Sequence, residues 1–385
     1  MPIRVCYLAD AGSVHVERWV NYFLNGGYSV HLISLRPFRS NVKEADSSNL
    51  HVHLVRWTLP YVKMVSYVVN LLLVFVQIKM LIRKIKPDIL HAHYVTDYGL
   101  MGALTNFHPF VVSVWGSDVL IAPKESKISK CEASYALKRA DCITTTAEFM
   151  KGYLVKAFGL QEKNIVRVPW GIDLKIFHRG YEKEAKVLRR MLGIKADAPV
   201  VLSNRNMTPT YEIESIIDAI PHVLNSHPDA TFIFIRGYGS AEYENKIKSK
   251  VQKLEVANNT RFISKIISPK EMAIYLNMAD AFISVPKTDQ FGGSVMEGMI
   301  CGSIPIVSDV EVYHQYLTNG ENALFVDPNN SREIAEKIIY CIEHPEIKDG
   351  FYALNKKIIE EKEDWDKNAG EMEEIYTRVV DRMRR

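Results

Sequence analysis

Short runs of β-branched and aromatic residues recur along this chain, and longer stretches with a helical apolar period separate them. A strand buried on both faces is apolar at every position, so continuous runs of this kind between helices predict parallel α/β units. The first half offers seven runs: "IRVCYLAD", "SVHLISL", "HVHLVRW", "DILHAHYV", "FVVSVWG", "CITTTA" and "IVRVPWG". The second half offers six: "VVLSNRN", "TFIFIRG", "RFISKI", "AFISVP", "IPIVSD" and "ALFVDP". Two doubly wound sheets are expected. The strand pattern lapses at "VPWGIDLKIFHRG", residues 168–180, before the charged helix "YEKEAKVLRRML", which puts the domain boundary between residues 170 and 171. Length supports the split, because 385 residues exceed the roughly 250–300 at which a single core stops growing.

The stretch "MVSYVVNLLLVFVQI", residues 64–78, carries no charge and is flanked by Lys63, Lys79, Arg83, Lys84 and Lys86. Its 15 residues fall short of the roughly 20 that cross a bilayer, which predicts a buried helix between strands ahead of a membrane-inserted one. Charge is uneven. Residues 1–170 hold 20 Lys/Arg against 12 Asp/Glu, and residues 171–385 hold 28 against 33. The basic front half would suit an anionic membrane surface or an anionic acceptor, although a mild excess is more commonly a solvated face. No Lys/Arg stripe is interleaved with aromatics, so no nucleic-acid partner is expected. Cys6, Cys131, Cys142, Cys301 and Cys341 lack CxxC spacing, which fits reduced thiols better than disulfides or zinc. The opening "MPIRVCYLAD" reads as a strand and lacks the apolar core of a signal peptide, so a cytoplasmic location is expected.

Candidate chemistry concentrates in "DQFGGSVMEGMICGSIPIVSD", residues 289–309. With "AFISVP" as the preceding strand, residues 287–293 form the loop at its carboxyl end and a helix starts near Ser294. Gly292 and Gly293 let backbone approach a ligand closely, and a helix N-terminus offers free N–H groups with partial positive charge, a seat for phosphate. Glu297, in the first turn, could accept hydrogen bonds from sugar or ribose hydroxyls, and Asp289 reaches the same point from the loop. "SVME" also matches a capping box, in which Ser294 and Glu297 satisfy only each other's backbone. The segment by itself leaves both readings open.

A carboxylate, seven intervening residues that include F-G, then Glu and "GMICGSIPIVSD" resemble the donor-site signature of the retaining nucleotide-sugar glycosyltransferases of family 4. "ADAG", "KPDILHAHY", "VPWGIDLKIF", "NRN" and "RGYGS" agree in the expected order through nearly the whole chain. The resemblance implies a GT-B fold of class α/β, with two Rossmann-like doubly wound domains facing a deep inter-domain cleft. Residues 1–170 would form the acceptor domain, 171–365 the nucleotide-sugar donor domain, and 366–385 a helix crossing back to the first. The tail "DWDKNAGEMEEIYTRVV" has the amphipathic pattern for this.

The resemblance also carries roles. Arg205 matches the arginine that neutralises the donor diphosphate, a task suited to a permanently charged, bidentate guanidinium. Gly12 matches the first-strand loop glycine at the phosphates. Glu297 matches the glutamate that binds ribose, and Asp289 stands where glutamate more often contacts the transferred sugar. Gly292, Gly293 and Ser294 surround the diphosphate, with the last two offering backbone N–H groups, and Lys265 and Ile266 lie where the base is held, largely through backbone. Arg205, Asp289 and Glu297 are the implied catalytic set. No metal or other cofactor is implied, because arginine and the helix dipole neutralise the diphosphate.

Three positions depart from the family pattern. Thr210 and Tyr211 replace a lysine that shares the diphosphate charge, for which Lys287 or Arg236 are conjectural substitutes; Trp115 replaces a first-domain histidine; and Asp289 is one methylene short. His15, His91 and His93 are candidates for the missing imidazole. His91 and His93 share a strand face, so a metal pair is conceivable, with structural histidines the commoner outcome. Asp118 either binds acceptor or donor hydroxyls or caps the next helix. On the acceptor or sugar side the candidates are therefore His15, His93, Trp115 and Asp118. The expected reaction is retaining transfer of a hexosyl or N-acetylhexosaminyl group from a nucleotide-diphosphate sugar, a UDP-sugar, to a glycan or lipid-linked acceptor in cell-envelope or surface polysaccharide biosynthesis. It would run in the cytoplasm, at the inner face of an anionic membrane. A sugar-nucleotide 2-epimerase of the same fold and a catalytically idle nucleotide-sugar binder are the alternatives.

Overall fold

The computed structural model describes residues 3–37, 48–56, 64–237, 239–289 and 291–384, with backbone alone over 64–68. Trp57, Lys63, Tyr238 and Gln290, which fall within or beside the quoted motifs, lie outside the described residues. The chain forms two compact units, Met1–Trp170 with Lys367–Arg385, and Gly171–Asp366.

The first unit holds a seven-stranded sheet of β1 (Arg4–Leu8), β2 (Ser29–Ser34), β3 (Leu50–Leu54), β4 (Ile89–His93), β5 (Phe110–Val114), β6 (Cys142–Thr145) and β7 (Ile165–Arg167). All neighbours are parallel, in the order β3-β2-β1-β4-β5-β6-β7. The second unit holds β8 (Val200–Ser203), β9 (Thr231–Ile235), β10 (Thr260–Ile263), β11 (Ala281–Ser284), β12 (Ile304–Ser308) and β13 (Leu324–Val326), also parallel, in the order β10-β9-β8-β11-β12-β13. Each of the thirteen apolar runs coincides with one of these strands, β3 and β10 beginning one residue ahead of theirs. β4, β5, β9, β11 and β12 are buried at every position, which is why they read as unbroken apolar runs, whereas edge strand β3 keeps exposed residues.

Each strand order reverses once, between β1 and β4 in the first sheet and between β8 and β11 in the second. The helices following the two strands of such a pair leave toward opposite faces, which opens a crevice at the carboxyl ends where ligands of open α/β sheets bind. Gly298 serves the second crevice: a Cβ there would meet the Phe282 ring at 2.8 Å, so only glycine lets its helix lie this close to β11.

The uncharged stretch becomes one helix, Met64–Ile85. One stripe, Val74, Ile78, Ile82 and Ile85, joins the core with Leu8, Ile33 and Val55, while Leu72, Leu73, Val76 and Met80 are exposed. The expected burial thus holds for one face only, because a single layer covers the sheet there. No helix among the described residues is long and apolar enough to cross a membrane. The last helix, Trp365–Arg384, buries Met372, Ile375, Tyr376, Val379 and Val380 at helical spacing. Its Tyr376 ring stacks on Phe23 at 4.9 Å and its hydroxyl bonds Tyr7 at 3.2 Å, tying the helix to the first unit.

Candidate active site

The crevice between β8 and β11 gathers Arg205, Asp289 and Glu297. β8 runs into Asn204 and Arg205, and β11 into the loop that carries Asp289; adjacent strands lie about 5 Å apart, so the two ends meet. Arg205 Nη2 pairs with Asp289 Oδ2 at 3.0 Å, with side-chain exposures of 4% and 11%. The Arg205 guanidinium lies 4.1 Å over the Tyr211 ring, and Tyr313 donates its hydroxyl to Asp289 Oδ2 at 2.7 Å. Burial opposes the charge on Arg205, but Asp289 and the phenols of Tyr313 and Tyr211 outweigh it and raise its pKa. Burial and the neighbouring Asp289 likewise push the Tyr313 phenol far up, so it stays a donor.

The adjoining helix, Gly293–Cys301, has Gly292 as its cap in extended conformation, with no side chain capping it. The Val295 N–H takes the Gly292 carbonyl at 3.0 Å, and the two N–H groups before it, of Gly293 and Ser294, have no intrahelical acceptor, the arrangement that seats an anion. Gly292 leaves the guanidinium room: a Cβ there would lie 3.1 Å from Arg205 Nη1 and displace it. The capping box suggested by "SVME" is not made. The helix starts at Gly293 with Gly292 as its cap, so Ser294 lies inside the helix and Glu297 falls in its second turn instead of its first. Its Oε2 instead accepts from Asn204 Nδ2 at 3.0 Å.

Lys265 and Ile266 follow β10, two strands from β8 and hence about 10 Å away. The Lys265 ammonium pairs with Glu271 at 2.8 Å and Ile266 is exposed, so a ligand there would meet backbone and an apolar side chain. The two conjectured substitutes for the missing lysine are committed elsewhere: Lys287 to Glu212 at 2.6 Å and Arg236 to Glu244 at 2.9 Å. Tyr211 instead occupies that neighbourhood as the platform beneath Arg205. Asn204 and Tyr313 were not singled out by sequence, and Tyr211 only as a position where the family lysine is missing. "NRN" flanks Arg205 with asparagines, but nothing local marks Tyr313 as the partner of Asp289.

In the first unit the predicted residues separate into buried supports and cavity walls. The Gly12 N–H, expected to face phosphate, donates to Asp10 Oδ1 at 2.8 Å, closing a local turn. His91 bonds Tyr376 and Ser113 through its two ring nitrogens, leaving none for the conceivable metal pair. Among the described residues no three His, Cys, Asp or Glu could hold a metal ion together. Asp118 is fully buried and neither faces a ligand nor simply caps a helix. It accepts from the N–H groups of Val95 at 2.8 Å, Gly116 at 2.6 Å and Trp115 at 3.2 Å, and burial still raises its pKa to about 6. It pins the ends of β4 and β5 together. His15 stacks on Trp170 at 3.9 Å with Trp115 edge-on, and burial followed by Arg18 lowers its pKa to about 4. His93 and Trp115 line a cavity beside them.

Known proteins match this arrangement across the chain. The sequence model of the glycosyl transferase 4-like family matches residues 4–147, and that of the glycosyl transferases group 1 family matches residues 184–369. An uncharacterised glycosyltransferase of Methanocaldococcus jannaschii is 24% identical over 96% of this chain and 95% of its own length. The alpha-monoglucosyldiacylglycerol synthase of Acholeplasma laidlawii is 20% identical over 92% and 90%. In fold, the chain resembles HepE of Anabaena, solved in complex with UDP and glucose, with a TM-score of 0.81 at 15% identity over 98% of this chain and 100% of that one. Two parallel-sheet domains, matched in order by two glycosyltransferase family models, identify this chain as a glycosyltransferase of the family 4 type with the GT-B fold.

Proposed function

We propose that this glycosyltransferase moves a hexosyl or N-acetylhexosaminyl group from a UDP-sugar to a hydroxyl of a glycan or lipid-linked acceptor, with retention at the anomeric carbon and no metal. The observation that carries the reading is the buried Arg205 guanidinium beside the uncapped helix N-terminus at Gly293, at the β8/β11 crevice. As the sugar leaves, negative charge builds on the departing diphosphate, and these two fixed positive ends stabilise it without reorganising. Glu297, held by Asn204, is placed for ribose hydroxyls, and Asp289 for those of the sugar. The UDP bound to the Anabaena protein supports the choice of base.

Retention is carried over from the family resemblance. Asp289 Oδ2 is occupied by both Arg205 and Tyr313, which makes it a poor covalent nucleophile, so within a retaining reaction attack from the face the diphosphate leaves is favoured over a glycosyl-enzyme. The name of the Acholeplasma relative supports a lipid acceptor, as does the exposed Leu72, Val76 and Met80 face with Lys79, Arg83 and Lys84 beside it, which suits an anionic membrane surface. The reading places the enzyme in envelope or surface polysaccharide assembly on the cytoplasmic side. Calorimetry with UDP, GDP and ADP, then proton NMR of the product from UDP-glucose or UDP-N-acetylglucosamine, tests it. Binding of UDP and an α-linked product are expected; an inverted product refutes retention, and donor interconversion without UDP release marks an epimerase.

A further inference from the structure

The amino ends of β6 and β7, the last two strands of the first sheet, border a cavity of about 310 Å³ that the final helix, Trp365–Arg384, also lines. All of its walls belong to the first unit. Open α/β sheets bind ligands in crevices at the carboxyl ends of their strands, so this cavity sits at the other end of the sheet, and the transferase reading makes no use of it.

Three cations line it: Lys163, from the turn before β7, and Arg378 and Arg382, from the helix. None of the three has a hydrogen bond or an ion pair among the described residues, whereas Arg384, two residues beyond Arg382, is held by Asp88 at 3.1 Å. The one carboxylate in the wall is already engaged, because Asp141 Oδ2 meets His108 Nδ1 and the Phe110 N–H, each at 2.7 Å. Burial raises the Cys142 thiol to about 11 while Arg378 pulls it down, which places that guanidinium near the thiol in the cavity wall. The helix dipole favours a cation in the last turn and so accounts for Arg382, but not for Arg378 a turn earlier or for Lys163 on another element.

Like charges around one small space repel, and an oxyanion set among them removes that repulsion and gains charge-assisted hydrogen bonds. Two guanidiniums and an ammonium suit a phosphate group, since an arginine fork takes its oxygens in pairs. The rest of the wall is apolar. Ile375, Arg378, Val379 and Arg382 fall at i, i+3, i+4 and i+7, so apolar and cationic side chains share one helix face. The volume lies at the small end of small-molecule sites, which run from about 300 to 1,000 Å³, and so suits a small ester.

We infer that this cavity is an anion site separate from the β8/β11 crevice, and that it binds a small phosphate ester. Arg378, Arg382 and Lys163 hold the phosphate, and Ile375 and Val379 cover the organic part. The ester reaches the site either free in solution or as the headgroup of a phospholipid; the recognised chemistry is the same. The inference does not depend on the transferase reading.

Titration calorimetry of the full chain with phenyl phosphate, with UDP in excess to fill the donor crevice, tests it. Phenyl phosphate should bind and phenol should not. Arg378→Met and Arg382→Met, both exposed changes, should each weaken it at least tenfold, the worth of a charge-assisted hydrogen bond, while UDP affinity stays within twofold. Arg384→Met, which removes a neighbouring charge outside the cavity, should change nothing, and Arg205→Met, titrated without UDP, should bind phenyl phosphate as the unaltered chain does. Flotation with phosphatidylglycerol vesicles, repeated on the same variants, separates the two sources. Phenyl phosphate binding that depends on Arg378 and Arg382 marks a soluble ester, and vesicle binding that depends on them marks a headgroup. If neither depends on them, if Arg384→Met has the same effect, or if phenyl phosphate binding is lost in Arg205→Met instead, the inference is overturned.

Discussion

Arg205 is asked to do two things, to balance Asp289 inside the protein and to grip a diphosphate, and a double-mutant cycle separates them. Arg205→Met removes one partner of a buried pair and leaves Asp289 charged at 11% exposure, held by Tyr313 alone of its two named partners. Breaking a buried pair in this way costs about 3–5 kcal/mol. In a unit of about 200 residues, at about 2–4 °C per kcal/mol, the transition should fall by about 6–20 °C. Adding Asp289→Asn removes the stranded charge, and because a buried ion pair contributes little net stability against neutral residues of similar size, the double variant should regain most of the loss. UDP affinity should not return. Charge-assisted hydrogen bonds are worth about 1.5–3 kcal/mol, so the dissociation constant should rise about 10- to 150-fold in the single and the double variant alike. Scanning calorimetry and titration calorimetry read the two quantities separately. If the double variant recovers both stability and UDP affinity, Arg205 is only a structural counter-ion and the diphosphate site is misplaced.

Gly292→Ala should push Arg205 Nη1 aside, since the new Cβ would lie 3.1 Å from it, and weaken UDP several-fold while barely moving the melting temperature; unaltered affinity would mean that Nη1 makes no contact with the ligand. The Asp118 pKa near 6, against about 4 in the unfolded chain, means the folded state binds the proton more tightly, so the ionised form costs up to about 2–3 kcal/mol above pH 6 and the cost fades as pH falls toward 4. The stability of the unaltered protein relative to Asp118→Asn should therefore rise between pH 7 and pH 5, and a flat difference by calorimetry would refute the shift. Replacing Leu72, Val76 and Met80 together by Gln removes only exposed apolar surface. It should leave the melting temperature unchanged and abolish co-sedimentation with vesicles of anionic lipid; equal sedimentation would exclude this face as the membrane contact.

Much of the fold was legible because parallel strands covered on both sides must be apolar at each position. A run such as "FVVSV" or "TFIFI", short and rich in β-branched and aromatic residues, suits a strand covered on both faces, and the alternation with helices sets the sheet type. The donor crevice was legible in part. The glycines, Asp289 and Glu297 stand close together in sequence, and their spacing is a local property of one strand, loop and helix. The capping box misled for the same reason: "SVME" satisfies the local pattern, but Asn204, 93 residues away, takes the Glu297 carboxylate, and the helix begins a residue earlier than expected.

The sequence by itself determined which of the described segments are strands and which loop carries glycines and carboxylates ahead of a helix, since each depends on side chains within a few residues of one another. Tertiary structure decided the charge state and the partners. Arg205 and Asp289 form one neutralised pair braced by Tyr211 and Tyr313, and Asp118 became an internal clamp. The physical reason is that hydrogen bonding and desolvation depend on which groups meet within about 3 Å, and strand order, not sequence distance, brings β1 to β4 and β8 to β11.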